Sequence, residues 1–123
     1  EQEIKADFRF PKHAEYYKGH FPGHPVTPGS ILLETAFQCG IVPLLKYQYF
    51  SKNELFQNKQ VLILSNQIRY KKLVEPEIRV VVHTQKTAFR RDEAVLRCST
   101  KMKLADGATV LFGEITGKLI DFN

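Results

Sequence analysis

The chain has 123 residues, a length typical of one compact domain, so we expect a single domain over residues 1–123. Hydrophobic residues make up 43% and charged residues 25%, as in ordinary folded proteins, which excludes wholesale disorder. No apolar stretch approaches the roughly 18 residues needed to cross a bilayer. The formal net charge of +5 permits nucleic acid, a membrane surface or an acidic protein as a partner and selects none of them.

The first predicted element is a half-buried strand at residues 3–10, where apolar and charged residues alternate. Its apolar face is formed by Ile4, Ala6, Phe8 and Phe10. Pro11 ends this strand. Residues 19–29 then hold three prolines and three glycines, a density that no helix or strand tolerates. We therefore predict a rigid, specifically shaped loop.

From Ser30 to about Val42 the apolar pattern becomes helical and covers most of the circumference. This pattern predicts a helix that is buried nearly all round. Ser30, Glu34 and Gln38 are spaced i, i+4, i+8, so they share one face. Pro43 lacks an N–H and would clash with the carbonyl four residues back, so we expect a kink or an end there.

The remaining chain predicts a less regular connection and then four long strands. The connection covers 47–59, and the strand candidates are 61–71, 78–89, 94–104 and 108–120. Asp106-Gly107 predicts a tight hairpin turn between the last two, because both positions accept positive φ. Gly113 and Gly117 share the core face of the last strand and leave room for a close approach by the helix or a ligand.

The two cysteines predict neither a disulfide framework nor a metal site. Cys39 falls in the helical pattern and Cys98 in a strand pattern. We interpret both as small buried hydrophobic residues in a reducing compartment, the cytoplasm. No Cys/His cluster has metal-ligand spacing, and we expect no cofactor.

Together these elements predict an α+β architecture, with one long buried helix against a sheet of about five mostly antiparallel strands. A helix this apolar needs cover on more than one side, and one small sheet supplies only part of it. We therefore expect a dimer, with the sheets joined or the helices paired.

The segment from His20 to Gln38 combines groups that suit acid–base chemistry. His20 can act as a base near neutral pH. Glu34, on an apolar helix, is expected to stay protonated and to serve as an acid. The helix start after Pro28-Gly29 offers unpaired N–H groups that can polarise a carbonyl oxygen. Together they suit removal of a proton α to a carbonyl and loss of a β leaving group.

Each residue also has a plain structural interpretation. A lone His beside prolines is usually a surface residue, and a lone Glu on a helix is usually solvated. The stripe of Ser30, Glu34 and Gln38 can be the wet face of the helix. The other histidines give no signal of their own: His13, His24 and His83. The hypothesis therefore depends on the combined pattern of loop and helix.

Residues 20–34, HFPGHPVTPGSILLE, resemble the signature of the 3-hydroxyacyl-[acyl-carrier-protein] dehydratases of fatty-acid synthesis. Gln38 also falls where that family has Gln. More weakly, Ile68-Arg69-Tyr70 with Pro76 resembles the strand and turn that follow the helix in that family. The resemblance implies a hot-dog fold, a long central helix wrapped by an antiparallel sheet. It also implies a homodimer or a higher homo-oligomer.

The resemblance implies a site shared between two chains, with His20 from one and Glu34 from the other. His20 would take the α proton of the acyl thioester, and Glu34 would protonate the departing β-hydroxyl. The residues implied to contact substrate are Gly29, through its N–H on the thioester oxygen, Gln38, Ser30 and Phe21. Because the related dehydratase/isomerase branch carries Asp at the Glu34 position, the product is expected to be trans-2-enoyl, without double-bond isomerisation.

The resemblance also suggests a use for the positive charge. The substrate would be an acyl-carrier-protein or acyl-CoA-type thioester, and carrier proteins are acidic. Three clusters could dock one: Arg90-Arg91, Lys71-Lys72 and Arg97/Lys101/Lys103. Each can equally be a solvated face that serves solubility.

The sequence also departs from the family pattern. Thr27 and Ser30 stand where bulkier apolar residues are usual, and Pro43 interrupts the helix. We expect the N-terminal helix and strand of common members to be missing before Ile4. Chain length and pathway, whether fatty acid, polyketide or a related lipid, stay open.

Three other functions compete with dehydration. A hot-dog thioesterase would hydrolyse the thioester, but such proteins usually lack the His-Phe-Pro-Gly loop. A non-catalytic acyl-binding or partner subunit would not need both His20 and Glu34. A small basic nucleic-acid binder would leave the acidic residue on the buried helix unexplained, and an aromatic-interleaved basic motif is missing. We therefore expect no nucleic acid and no membrane as partner.

Overall fold

The computed structural model describes residues 3–18, 23, 25–50 and 59–121, and only the backbone of residues 48–50. Strand β1 is Glu3–Arg9, and one turn of 3-10 helix follows at Glu15–Tyr17. Helix α1 (Gly29–Ala36) continues through a π-helical turn (Phe37–Ile41) into helix α2 (Val42–Phe50). The remaining strands are β2 (Lys59–Tyr70), β3 (Arg79–Arg90), β4 (Val95–Leu104) and β5 (Thr109–Asp121).

The five strands form one antiparallel sheet in the order β1-β3-β4-β5-β2. Strands β1 and β2 are therefore the two edges. The helix packs on one face of the sheet, and the other face is open. This is the hot-dog arrangement, so the predicted α+β class and fold are confirmed. All five predicted strands are present, with ends that differ by one or two residues.

The core fills the space between the helix and the inner face of the sheet. Two clusters divide it. The first joins the early helix to mid-sheet residues and includes Leu32, Ala36, Val82, Met102 and Leu111. The second joins the later helix to the other end of the sheet and includes Phe37, Ile41, Leu45, Leu96 and Ile115. Burial of each large side chain contributes roughly 1.5–3 kcal/mol, so these two clusters hold the helix in place.

The helix does not end at Pro43 but continues to Phe50. The prediction of a less regular connection over 47–59 is therefore wrong for 47–50, and 51–58 lie outside the described residues. The chain accommodates the proline with the π-helical turn just before it. There the N–H of Val42 donates to the Phe37 carbonyl, five residues back. This wider turn shifts the hydrogen-bonding frame by one residue at the point where proline lacks a donor. No helix among the described residues is long and apolar enough to span a bilayer.

Glycines set how closely the helix approaches the sheet. A Cβ added at Gly40 would lie 2.2 Å from Thr84 Oγ1, and one added at Gly117 would lie 3.0 Å from Ile41 Cδ1. The close approach predicted for Gly117 is therefore to the helix. At Gly113 a Cβ would instead meet the backbone of β2, 1.9 Å from the Gln67 carbonyl oxygen.

The β4–β5 hairpin turns at Asp106-Gly107, as predicted. Gly107 has a φ of +94°, which a residue with a side chain rarely adopts. The Asp106 carboxylate accepts the Ala108 N–H at 2.9 Å and stabilises the turn. The turn that connects β4 to β5 thus has a chemistry that is visible in the sequence.

Candidate active site

The first helical turn leaves backbone donors open to solvent. Pro28 precedes it with an extended backbone (φ −60°, ψ 149°), and its side chain makes no capping hydrogen bond. The Pro28 carbonyl accepts the N–H groups of Ile31 and Leu32 at 3.0 and 3.1 Å. Gly29 and Ser30 are exposed, and their N–H groups have no partner within the helix. Together with the helix dipole they form a place where a carbonyl oxygen can bind.

Tyr70, the last residue of β2, covers this helix start. A Cβ added at Gly29 would lie 3.5 Å from the Tyr70 ring, an ordinary van der Waals distance, so the ring packs beside the first residue of the helix. Partial burial raises the pKa of the Tyr70 phenol, which keeps it neutral. Sequence reasoning did not assign Tyr70 to the site, although the resemblance at Ile68-Arg69-Tyr70 pointed to this strand end.

Glu34 and Gln38 form a hydrogen-bonded pair one turn further along the helix. Gln38 Nε2 donates to Glu34 Oε2 at 2.8 Å. Both residues are exposed, on the same face as Ser30, whereas Thr35, Ala36 and Phe37 between them are buried. The predicted shared face of the helix is therefore confirmed.

The expectation that the helix is buried nearly all round, with Glu34 in apolar surroundings, is wrong for the single chain. Glu34 and Gln38 are open to solvent. The helix packs against β1, β3, β4 and β5, and the sheet ends at β2. The face that carries the carboxylate lies beyond that edge and has no cover from the described residues.

A groove of about 410 Å³ runs beside this pair, between the helix and β2. Glu34 and Gln38 line it together with apolar side chains. The apolar lining includes Phe37, Val42, Val61, Ile63 and Leu119. The polar pair thus borders an apolar channel, which suits an acyl chain whose functional carbons lie at the carboxylate. The sequence predicted the helix and the strands that supply these side chains, but it did not predict a groove between the helix and β2.

His20 and Phe21 lie outside the described residues, so their roles stay predictions. The flanks of their loop are described. Tyr17 and Thr27 are buried and share a hydrogen bond of 2.8 Å between their hydroxyls. The Thr27 N–H also donates to the Val74 carbonyl at 2.7 Å. Thr27, unusual for the family pattern, therefore has a polar partner, and it anchors the loop to the core.

The two cysteines are free thiols and take no part in this arrangement. Burial raises the pKa of Cys98 to about 12, although Lys86 opposes the shift, and burial also raises the pKa of Cys39. Both thiols stay protonated near neutral pH and are poor nucleophiles. Their interpretation as small hydrophobic residues is confirmed: the Cys98 side chain is fully buried, and the Cys39 side chain is half-buried. Among the described residues, no group of three or more His, Cys, Asp or Glu could hold a metal ion.

Comparison with known sequences points to one family. A family model described as a FabA-like domain matches residues 2–114. The chain is 32% identical over 107 residues to the 3-hydroxyacyl-[acyl-carrier-protein] dehydratase FabZ of Thermomicrobium roseum, covering 86% of this chain and 66% of that protein. It is 30% identical over 115 residues to the protein of the same name from Lactococcus lactis subsp. cremoris, covering 91% and 76%. The chain spans 64–66% of the length of the first four curated relatives that it matches.

Solved structures share the fold at lower sequence identity. The fluoroacetyl-CoA thioesterase FlK matches with a TM-score of 0.72 and 12% identity, over 98% of this chain and 86% of that chain. At this identity the likeness shows the fold alone, and the fold is the one described above.

Proposed function

The chain belongs to the FabA-like domain family, and from that membership we propose that it dehydrates a 3-hydroxyacyl thioester to a trans-2-enoyl thioester. The observation that carries the proposal is the pair formed by Glu34 and Gln38, 2.8 Å apart, between an open helix start and an apolar groove. The relatives named as 3-hydroxyacyl-[acyl-carrier-protein] dehydratases support the same reaction. The pathway would be fatty-acid synthesis or a related polyketide or lipid route.

In the proposed reaction the helix start binds the thioester oxygen. The Gly29 N–H, with the helix dipole behind it, stabilises negative charge on that oxygen as the α proton leaves. Glu34 lies five residues on, roughly 7.5 Å along the axis, and its side chain leans back toward the helix N-terminus. A substrate held at Gly29 can therefore place its β-carbon near the Glu34 carboxyl.

Two residues account for the proton transfers of the proposed reaction. His20 takes the proton from the α-carbon, and the Cα–H electrons form the new double bond. The Cβ–O bond breaks, and Glu34 gives its proton to the departing hydroxyl, which leaves as water. Gln38 holds the Glu34 carboxyl in place through its amide. A later proton transfer from His20 to Glu34 through water restores both groups.

We infer that the protein acts as a homodimer joined along β2. This strand is a sheet edge, and its Leu62 and Leu64 are 49% and 48% exposed. A long apolar edge left open in water favours pairing with another chain. Pairing two copies there would cover the groove and exclude water from Glu34 and Gln38. It would also let the His20 loop of one chain approach Glu34 of the other.

We propose that an acidic acyl carrier protein docks at Lys71-Lys72. These residues follow Tyr70, whose ring lies over Gly29. Their N–H groups donate to the Val110 carbonyl at 2.7 and 3.3 Å, so the cluster has a fixed position near the helix start. Arg90-Arg91 ends β3 at the far end of the sheet. The third cluster, Arg97/Lys101/Lys103, lies on the open face, away from the helix.

The free thiols suit a reducing compartment, and we infer that the protein acts in the cytoplasm.

The test is a thioester assay with a series of 3-hydroxyacyl chain lengths. Wild type is expected to form the 2-enoyl product, detected by its absorbance and by mass. Glu34→Gln and His20→Ala should each lower the rate by about 10²–10⁴-fold, because each removes one proton-transfer group. The matched control is Asp92→Asn, an exposed carboxylate in the turn between β3 and β4. Release of free thiol without enoyl product would favour a thioesterase, and no turnover at any chain length would overturn the proposal.

A further inference from the structure

The open face of the sheet carries a row that crosses all five strands and consists of two lysines, one arginine, one histidine and one phenylalanine. Direct cross-strand partners run from Lys5 to His83, from His83 to Lys101, from Lys101 to Phe112 and from Phe112 to Arg69. With neighbouring strands about 4.8 Å apart, the row is roughly 19 Å long. It holds one aromatic ring between cations and lies on the side of the sheet opposite Glu34.

A groove of about 510 Å³ follows this row. Its lining includes Lys5, His83, Lys101, Lys103, Phe112 and Glu114. A second depression, lined by Arg69, Phe112 and Glu114 among others, continues it toward β2. The volume is in the range of small-molecule sites, roughly 300–1,000 Å³. The space therefore suits a ligand larger than a single inorganic ion.

The charge of this groove is not balanced locally. Three lysines against Glu114 leave its lining at +2 when His83 is neutral. Within the described part of the chain, the nearby carboxylates have other partners: Glu3 is hydrogen-bonded to His83, and Asp7 pairs with Arg79. Neither contact includes a lysine of the groove, and the positive charges of those lysines repel one another. A row of this kind is stabilised when an anion binds across it.

We propose that this groove binds a nucleotide-sized phosphate ester. The phosphates contact Lys5, Lys101 and Lys103, and a planar base stacks on Phe112, as bases stack on aromatic residues of other sheet surfaces. Glu114, beside the ring, accepts a hydrogen bond from the base or the sugar. The site does not depend on the proposed dehydration, because the sheet and the core separate it from Glu34.

Calorimetric titration of the full chain with ADP, pyrophosphate and adenosine tests this proposal. ADP should bind more tightly than either fragment, because only ADP reaches both the lysines and the ring. Lys101→Gln should lower the affinity for ADP and for pyrophosphate by roughly tenfold, the loss expected for one charge-assisted contact. Phe112→Leu should lower the affinity for ADP and leave the affinity for pyrophosphate unchanged. Lys12→Gln, an exposed lysine outside the groove, is the matched control and should change nothing.

Two results would overturn the proposal. One is no measurable binding of ADP by the folded wild type at millimolar concentration. The other is an equal loss of ADP affinity in Lys101→Gln and Lys12→Gln, which would show general attraction to a basic protein. Circular dichroism of each variant confirms that it is folded, and Lys103→Gln provides a second variant should Lys101→Gln fail to fold.

Discussion

Gln38 donates a 2.8 Å hydrogen bond to Glu34 from within the π-helical turn, one helical turn away on the same exposed face. The amide has a donor for the carboxyl and no charge of its own, so it can orient Glu34 in either protonation state. This pair is the part of the candidate site that the structure describes most fully, and its energetics can be tested directly.

Replacing Gln38 should lower activity by misplacing Glu34. For Gln38→Ala we expect kcat/KM to fall by roughly 3- to 10-fold, the equivalent of one lost hydrogen bond of about 0.5–1.5 kcal/mol. Steady-state rates of 2-enoyl formation measure this loss. Gln85→Ala, at an exposed position on β3, is the control. An unchanged rate in Gln38→Ala would show that the pair has no role in positioning.

The buried hydroxyl pair of Tyr17 and Thr27 should be energetically coupled. Thr27→Val or Tyr17→Phe alone leaves one buried hydroxyl without its partner and should lower the free energy of unfolding by about 1–3 kcal/mol. The double variant should lose less than the sum of the two. Urea denaturation of all four proteins gives the coupling energy. Strictly additive losses would mean that the 2.8 Å hydrogen bond contributes nothing.

Two glycine substitutions should destabilise the fold to different extents. Gly40→Ala places a methyl group 2.2 Å from Thr84 Oγ1, inside a buried pair of threonines, whereas Gly117→Ala meets the flexible end of Ile41 at 3.0 Å. Because its methyl group would overpack the core, we expect Gly40→Ala to lower the free energy of unfolding by at least about 1–3 kcal/mol. Gly117→Ala should lower it less. Thermal and urea unfolding test the order. A larger loss in Gly117→Ala would contradict the described helix–sheet contact.

The stability of the protein should fall at alkaline pH because of Cys98. Its pKa is raised to about 12 in the folded chain, against 9.0 for an unburied thiol, so the unfolded state loses its proton first as pH rises. Stability is therefore full below about pH 9 and falls from there toward pH 12, by roughly 1.4 kcal/mol at pH 10. Urea unfolding at pH 7.5 and 10 measures this. The fall should be smaller in Cys98→Ala, and an equal fall in both proteins would contradict it.

The inferred dimer predicts that charge on the β2 edge disrupts assembly. Leu64→Lys should shift the protein from dimer to monomer in analytical ultracentrifugation and lower activity in parallel. Leu73→Lys introduces the same charge at a side chain that is 70% exposed outside β2, and it should leave assembly unchanged. A wild-type protein that stays monomeric at tens of micromolar would contradict the inference.

Much of the fold follows from alternation and turn chemistry in the sequence. Leu96, Cys98, Thr100 and Met102 alternate with charged or polar residues, and all four are buried. Asp106-Gly107 marks its hairpin because only certain residues accept that backbone. These signals are local, so the sequence carries them in full.

The features that the sequence did not predict depend on contacts between residues that are distant in the chain. Pro43 predicts a local break, but the packing of Leu44 and Leu45 against the sheet keeps the helix continuous through a π-helical turn. The apolar flanks of Glu34 predict burial, yet a sheet edge leaves it exposed. The groove beside it depends on Val61 and Ile63, which come from a strand distant in the chain.

The most direct test of a dehydration site shared by two chains is complementation between inactive variants. His20→Ala and Glu34→Gln chains, co-expressed with different tags, form mixed dimers in which one of the two sites has both residues intact. Purified mixed dimers should recover about half of the wild-type rate of 2-enoyl formation, while each variant alone stays inactive. Mixed dimers as inactive as the single variants would contradict the shared site.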